Sequence, residues 1–266
     1  MAKRLFPGWR GFGVALVATL ALATAVATQA ADRLALWRIV HDKCVPDEKA
    51  NGSPAPCETV DISDGEDNGV AILKDLVGVA QFLAIPTRRI AGIESPEILA
   101  PSAPNYWRAA WTARGAMERR LARPLSRDMV AMAINSALAR SQDQLHIHID
   151  CLAPEVRVAL AERGGELTQD WRPLSFELKG RRYVARRLDS SDLAGADPFR
   201  LLAEGEEGAA SAMAMETLVV AGANFPDQEG FVLLADRADP SLGDIAHGED
   251  LLDHSCAVAE LGGSGR

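Results

Sequence analysis

The stretch QLHIHIDCL, residues 144–152, alternates without a break. In an extended chain Leu145, Ile147, Ile149 and Cys151 point one way and His146, His148 and Asp150 the other, because side-chain direction repeats every two residues. Burying three polar groups without partners would cost several kcal/mol. One face of this strand therefore belongs to a core and the other to a polar site. The segments around it supply the rest of a sheet. GVAILKDL (69–76) and AQFLAIPTRRI (80–90) read as two strands of a hairpin with Gly78 between them. The pieces RRYVARRL, METLVVAGANF and GFVLLADR read as later strands, with a short helical DPFRLLAEG after the first. Helical spacing is clearest in 105–125, where Trp107, Ala110, Trp111, Arg114, Met117 and Leu121 share a rhythm that Pro124 stops. A second helix is expected over 153–165, and the start of one in DRLALWRIVHDKC (32–44). DMVAMAIN (128–135) fits either a helix or a strand. Strands and helices do not alternate regularly, so the pattern predicts an α+β fold with an antiparallel sheet.

The N-terminus is organised differently. Lys3, Arg4 and Arg10 precede residues 11–31, which carry no charge, and small residues close the stretch. A basic head and an apolar middle read as an export signal. Uncleaved, the same residues reach about 30 Å as a helix, enough to cross a bilayer, with the basic end inside. The expected division is therefore 1–31 as signal or anchor and 32–266 as one exported domain. The four cysteines agree with export, since an even count in such a chain favours disulfides. Cys44 and Cys57 bracket VPDEKANGSPAP, a loop suited to stapling, which leaves Cys151 with Cys256; three connectivities are open to four cysteines. The net charge of −9 argues against a nucleic-acid partner.

Paired histidines on one strand face suit several chemistries. A zinc site would need ligands beyond His146, His148 and Asp150, because alternate side chains on one strand spread too widely; His41, His247 and His254 are the candidates. Alternatively a neutral imidazole can attack phosphorus, with phosphate oxygens bound by the polar groups of NSALARSQDQ (135–144). The plainest alternative is two surface histidines on a half-buried strand.

HIHIDCL resembles the histidine-apolar-histidine-apolar-histidine motif of the histidine-triad superfamily, and 70–90 resembles that superfamily's nucleotide-pocket hairpin. LWRIVHDKCVP, PAPCETVD, VAILKDL, ESPEIL, MAINS, QLHIHIDCLAPEVR and YVARRL, in this order, resemble the CDP-diacylglycerol pyrophosphatase family from about Leu36 to Cys256. The resemblance implies a histidine-triad-like antiparallel sheet with flanking helices and a C-terminal extension. It implies hydrolysis of CDP-diacylglycerol to CMP and phosphatidate at the bacterial inner membrane, without metal or cofactor. His148 matches the nucleophile, which would carry the cytidylyl group, and His146 its positioning partner. Asn135 and Gln142 match polar residues near the phosphates. Asp75, with Lys74 beside it, matches the hairpin acid that binds ribose. Asp150 departs from the motif, standing where a third histidine is usual; the leaving-group acid must then come from elsewhere, and His41 is the candidate. Trp107 and Trp111 are candidates for lining a lipid path. Nucleotidyl transfer through the same intermediate and non-catalytic nucleotide-lipid binding remain as alternatives.

Overall fold

A computed structural model describes residues 32–261. They form an α+β structure around one nine-stranded antiparallel sheet, ordered β1-β2-β3-β5-β4-β8-β9-β7-β6. The strands are β1 (Thr59–Asp61), β2 (Val70–Lys74), β3 (Phe82–Pro86), β4 (Val130–Ile134), β5 (Ile147–Cys151), β6 (Arg172–Pro173), β7 (Val184–Leu188), β8 (Glu216–Asn224) and β9 (Glu229–Arg237). Of residues 128–135, ambiguous in sequence, Val130–Ile134 form the central strand β4, and 128–129 lie in the 3-10 turn before it. Val130, Met132 and Ile134 enter one core while Ala131 and Ala133 enter another, so burial on both sides hides the alternation. The C-terminal extension adds its strands to the same sheet through β4 and β8, paired from Ala131–Ala221 to Ile134–Leu218.

The two faces are unlike. Ile147, Ile149 and Cys151 of β5 lie over one continuous core, joined by Phe82, Met132, Val220 and Leu233 of the neighbouring strands. The helix α3 (Tyr106–Leu121) covers this face, its first turn capped by Asn105, whose side chain accepts from the Arg108 amide at 2.9 Å. Trp107 and Trp111 are buried in this core, edge-on to Phe199 and Phe231. They pack on the side of the sheet away from the histidines as plain core, the commoner place for such tryptophans, and line no path to the site.

The opposite face carries two smaller cores separated by a polar strip. Over β1–β3, Val60, Ala71, Leu73, Leu83 and Ile85 pack with Val40, Cys44 and Val45. Those three come from an N-terminal helical run: α1 (Ala35–Ile39), one π turn (Val40–Cys44) and α2 (Val45–Asn51). The segment 45–51, expected to be loop, is helix because Pro46 sits in its first turn, where proline is tolerated, and Gly52 ends it at φ 62°. The Cys44–Cys57 disulfide closes this core. Over β4, β8 and β9, Ala133, Val219 and Leu234 pack under α4 (Pro154–Glu162) and Leu251. Between the two cores run His146, His148 and Asp150, all buried.

Among the described residues no helix is long and apolar enough to cross a membrane. The anchor expected over 11–31 lies outside them.

Candidate active site

The strip is roofed by the C-terminal segment. Ser136 receives it, donating from its amide to the Ala246 carbonyl at 3.2 Å. Gly248 then lets the chain press onto the sheet; a Cβ there would collide with Thr217 Oγ1 and stand 2.9 Å from Val219 Cγ2. The Ala153 amide donates to Leu251 O and the Asp253 amide to Cys151 O, at 3.0 and 2.8 Å, so the segment crosses the end of β5. The Cys151–Cys256 disulfide fastens it there, joining residues 105 apart in sequence. This path brings His247, Glu249 and His254 over the histidine strand.

Glu249 is the hub. Its Oε1 lies 3.1 Å from His148 Nδ1 and accepts from Gln81 Nε2 at 3.1 Å; its Oε2 accepts from Asn135 Nδ2 at 3.0 Å. The Asn135 Oδ1 in turn accepts from the Glu249 amide. His247 Nε2 stands 3.5 Å from Oε2 and His254 Nε2 3.7 Å from Oε1. Burial alone would raise this carboxyl, but the His247 contact and the amide donors outweigh it and hold Glu249 well below the usual range. His247 is correspondingly raised to about 9, first by Glu249 and then, against burial, by Asp250.

The surroundings of the two strand histidines favour their neutral forms. Burial lowers His146, whose Nδ1 donates to the Gln144 carbonyl at 2.7 Å. Burial, with His146 beside it, lowers His148 to about 4 despite Glu249 and Asp75. The His146 and His148 rings meet edge-on with centroids 4.9 Å apart. His148 Nδ1 lies 3.1 Å from both Glu249 Oε1 and Gln81 Nε2, and Nε2 is a buried atom with no hydrogen-bond partner; the tautomer with its proton on Nδ1, toward the carboxylate, leaves the lone pair on Nε2. Such an imidazole, beside a carboxylate and unpartnered at its far nitrogen, suits a nucleophile or base.

Residues 31–260 match the family described as CDP-diacylglycerol pyrophosphatase. The chain belongs to the CDP-diacylglycerol pyrophosphatase family. A protein of Yersinia pestis named CDP-diacylglycerol pyrophosphatase is 41% identical over 224 residues, covering 84% of each chain.

In this member of the pyrophosphatase family, six of the eight site residues expected from sequence come together. They are His146, His148, Asn135, Asp75, Lys74 and Asp150. Asp75 accepts from Gln81 at 2.7 Å and lies 3.9 Å from His148 Nδ1. The Lys74 ammonium donates to the carbonyls of Asp75 and Gly78 at 2.7 and 2.9 Å. Asp150 turns aside from the strip's centre: Oδ2 accepts from His254 Nδ1 at 2.8 Å, and Oδ1 from the Cys151 amide at 2.8 Å. Burial raises Asp150 against that pairing, and the pairing raises His254.

Two residues are elsewhere. Gln142 accepts from the Leu36 amide and donates to the Asp32 carbonyl, tying down the start of α1. His41 stacks on Trp37 at 4.6 Å and bonds Asp42, in a surface recess with Lys49 and Glu66. The 135–144 loop also spends its polar groups internally: Ser136 Oγ donates to the Ile245 carbonyl, and Arg140 bonds Glu94 and Asp143. Among the described residues no group of three or more His, Cys, Asp or Glu is arranged to hold a metal ion.

Two residues escaped the sequence reading. Gln81 carried a signal, a polar residue in step with Leu83 and therefore on the histidine face. Glu249 carried none, because it sits in a 3-10 turn without periodicity.

Proposed function

We propose that the chain hydrolyses the diphosphate of CDP-diacylglycerol to CMP and phosphatidate, on a histidine-triad-like fold and through a cytidylyl-histidine intermediate. The observation that carries this reading is His148, with Nδ1 3.1 Å from the Glu249 carboxylate and from Gln81 Nε2, and with Nε2 unpartnered. His148 Nε2 attacks the cytidine-bearing phosphorus; a P–N bond forms and the P–O bond to the lipid phosphate breaks. Glu249 balances the positive charge that develops on the ring, as a carboxylate does behind a catalytic histidine. The departing oxygen takes a proton from His254, whose hold on that proton the Asp150 hydrogen bond strengthens. This pair stands in for the absent third histidine of the motif and replaces His41 in the role of acid. Water then gives a proton to the neutral His254 and its oxygen to phosphorus, the P–N bond breaks, and CMP leaves. Lys74 supplies positive charge near the diphosphate, and Asp75 a carboxylate for the ribose hydroxyls.

The test is a brief incubation with CDP-diacylglycerol labelled in the cytidylyl phosphate, followed by alkaline quench and intact-mass measurement. The expected result is an acid-labile CMP adduct on the wild-type chain and none on His148→Ala. Turnover of wild type with the same rate in His148→Ala would overturn the reading.

We further place the catalytic body outside the bacterial inner membrane, carried there by residues 11–31 as an uncleaved span or a removed signal. The uncharged stretch behind a basic head and two disulfides support this. Protease added to spheroplasts should degrade the body; protection would refute the placement.

A further inference from the structure

The loop between β2 and β3 puts three large apolar side chains into water within four residues. Leu76 is fully exposed, and Val77 and Val79 are about half exposed. This is no slack loop. The Lys74 ammonium is bonded to the carbonyls of Asp75 and Gly78, and Asp75 Oδ1 accepts from the Val77 amide at 3.1 Å. The Val79 amide donates to His254 O at 2.8 Å, and Arg120 Nε to Val79 O at 3.2 Å. Gly78 turns the chain at φ 72°. Backbone bracing of this kind fixes an apolar tip that burial within the chain does not explain.

The charge around the tip is opposite to that of the chain. Lys74 and Arg120 flank it, and neither lies within 4 Å of a carboxylate among the described residues, in a chain of net charge −9. An apolar tip flanked by cations fits the interface of an anionic bilayer, where side chains enter the acyl boundary and cations meet phosphate headgroups. The tip also adjoins the site. A Cβ at Gly78 would stand 3.4 Å from both Asp150 Oδ2 and His254 Cβ.

We infer that the 76–79 tip is a membrane-docking element, seating the site against an anionic lipid surface from which the lipid-linked nucleotide is drawn. The inference rests on the proposed activity only for the identity of that nucleotide. Because residues 11–31 can hold the full chain on a vesicle by themselves, the test reads the position of the tip rather than sedimentation. An environment-sensitive fluorophore on Leu76→Cys, in the full chain, is exposed to vesicles of phosphatidylglycerol and phosphatidylcholine with brominated acyl chains. Val158→Cys, an exposed apolar position on α4, serves as the control. Docking quenches the probe at 76 and leaves that at 158 bright, and the quenching weakens with salt and with Arg120→Gln. In parallel, Leu76→Gln with Val77→Gln should slow hydrolysis of vesicle-borne CDP-dioleoylglycerol about tenfold. The same pair should leave a short-chain CDP-diacylglycerol, used below its micelle concentration, unaffected. Equal quenching at both positions with equal rates on both substrates overturns the inference. So does a blue shift at 76 that depends on protein concentration without vesicles, which would assign the tip to a second copy of the chain. Wild type inactive on both substrates would sink the proposed activity, while the quenching would still decide the docking.

Discussion

Asp150 and His254, 104 residues apart in sequence, meet through a single 2.8 Å hydrogen bond at the edge of the histidine strip. The Asp150 carboxylate raises the His254 imidazole, and a raised imidazole is protonated over a wider range of pH. If His254 is the acid, activity falls as pH rises through its pKa. Asp150→Asn should then move the alkaline limb of the kcat/KM profile to lower pH, and His254→Ala should lower kcat by on the order of 10²-fold. An unmoved limb in Asp150→Asn would separate the pair from the proton transfer.

Glu249→Gln removes the carboxylate behind His148 while keeping the shape of the hub. The expected loss is in kcat, on the order of 10²-fold or more, with KM changing little, since the carboxylate acts on charge that develops during attack. Steady-state kinetics on this variant decide the point; a change confined to KM would make Glu249 a substrate-binding group.

Stability should vary with pH in opposite senses on the two sides of neutrality. His247 is raised in the folded chain to about 9, so its contribution is complete below about 6.5, the unfolded value, and is lost as pH rises toward 9. His148 is lowered to about 4, so below about 6.5 the unfolded chain takes up a proton that the folded chain refuses, and stability falls until pH is near 4. Thermal unfolding across this range should flatten on the acid side in His148→Asn and on the alkaline side in His247→Asn.

The two disulfides should differ in what they protect. Cys44–Cys57 closes a core beside the strip, whereas Cys151–Cys256 holds the segment bearing Glu249 and His254. In the chain-entropy account, removing either costs about 2–5 kcal/mol, the longer loop more. Replacing Cys151 and Cys256 by alanine should also lower kcat in protein that is still folded by circular dichroism. Replacing Cys44 and Cys57 should cost stability with kcat retained.

What the sequence disclosed follows from where its signals were local. The two faces of β5 were legible in nine residues, because one face is apolar and the other is not. The pairing of cysteines was legible as one of three arrangements, since a proline- and glycine-rich loop lay between two of them. His41 misled because nothing in its neighbourhood shows that Trp37 and Asp42 already occupy its ring. Gln142 misled in the same way, its amide being taken by the chain at Asp32 and Leu36. Glu249 was invisible for a different reason. Its importance comes from a long-range path over the sheet, and no periodicity records which turn of a distant segment will land on a given strand.

That path sets an order of events. The last strand ends at Arg237, so every partner in the sheet has been made before the first residue of the hub arrives. A chain truncated after residue 237 would keep all nine strands yet lose Glu249 and His254 together with the core residues Leu251, Leu252, Cys256 and Val258, so the segment that brings the chemistry also finishes the packing.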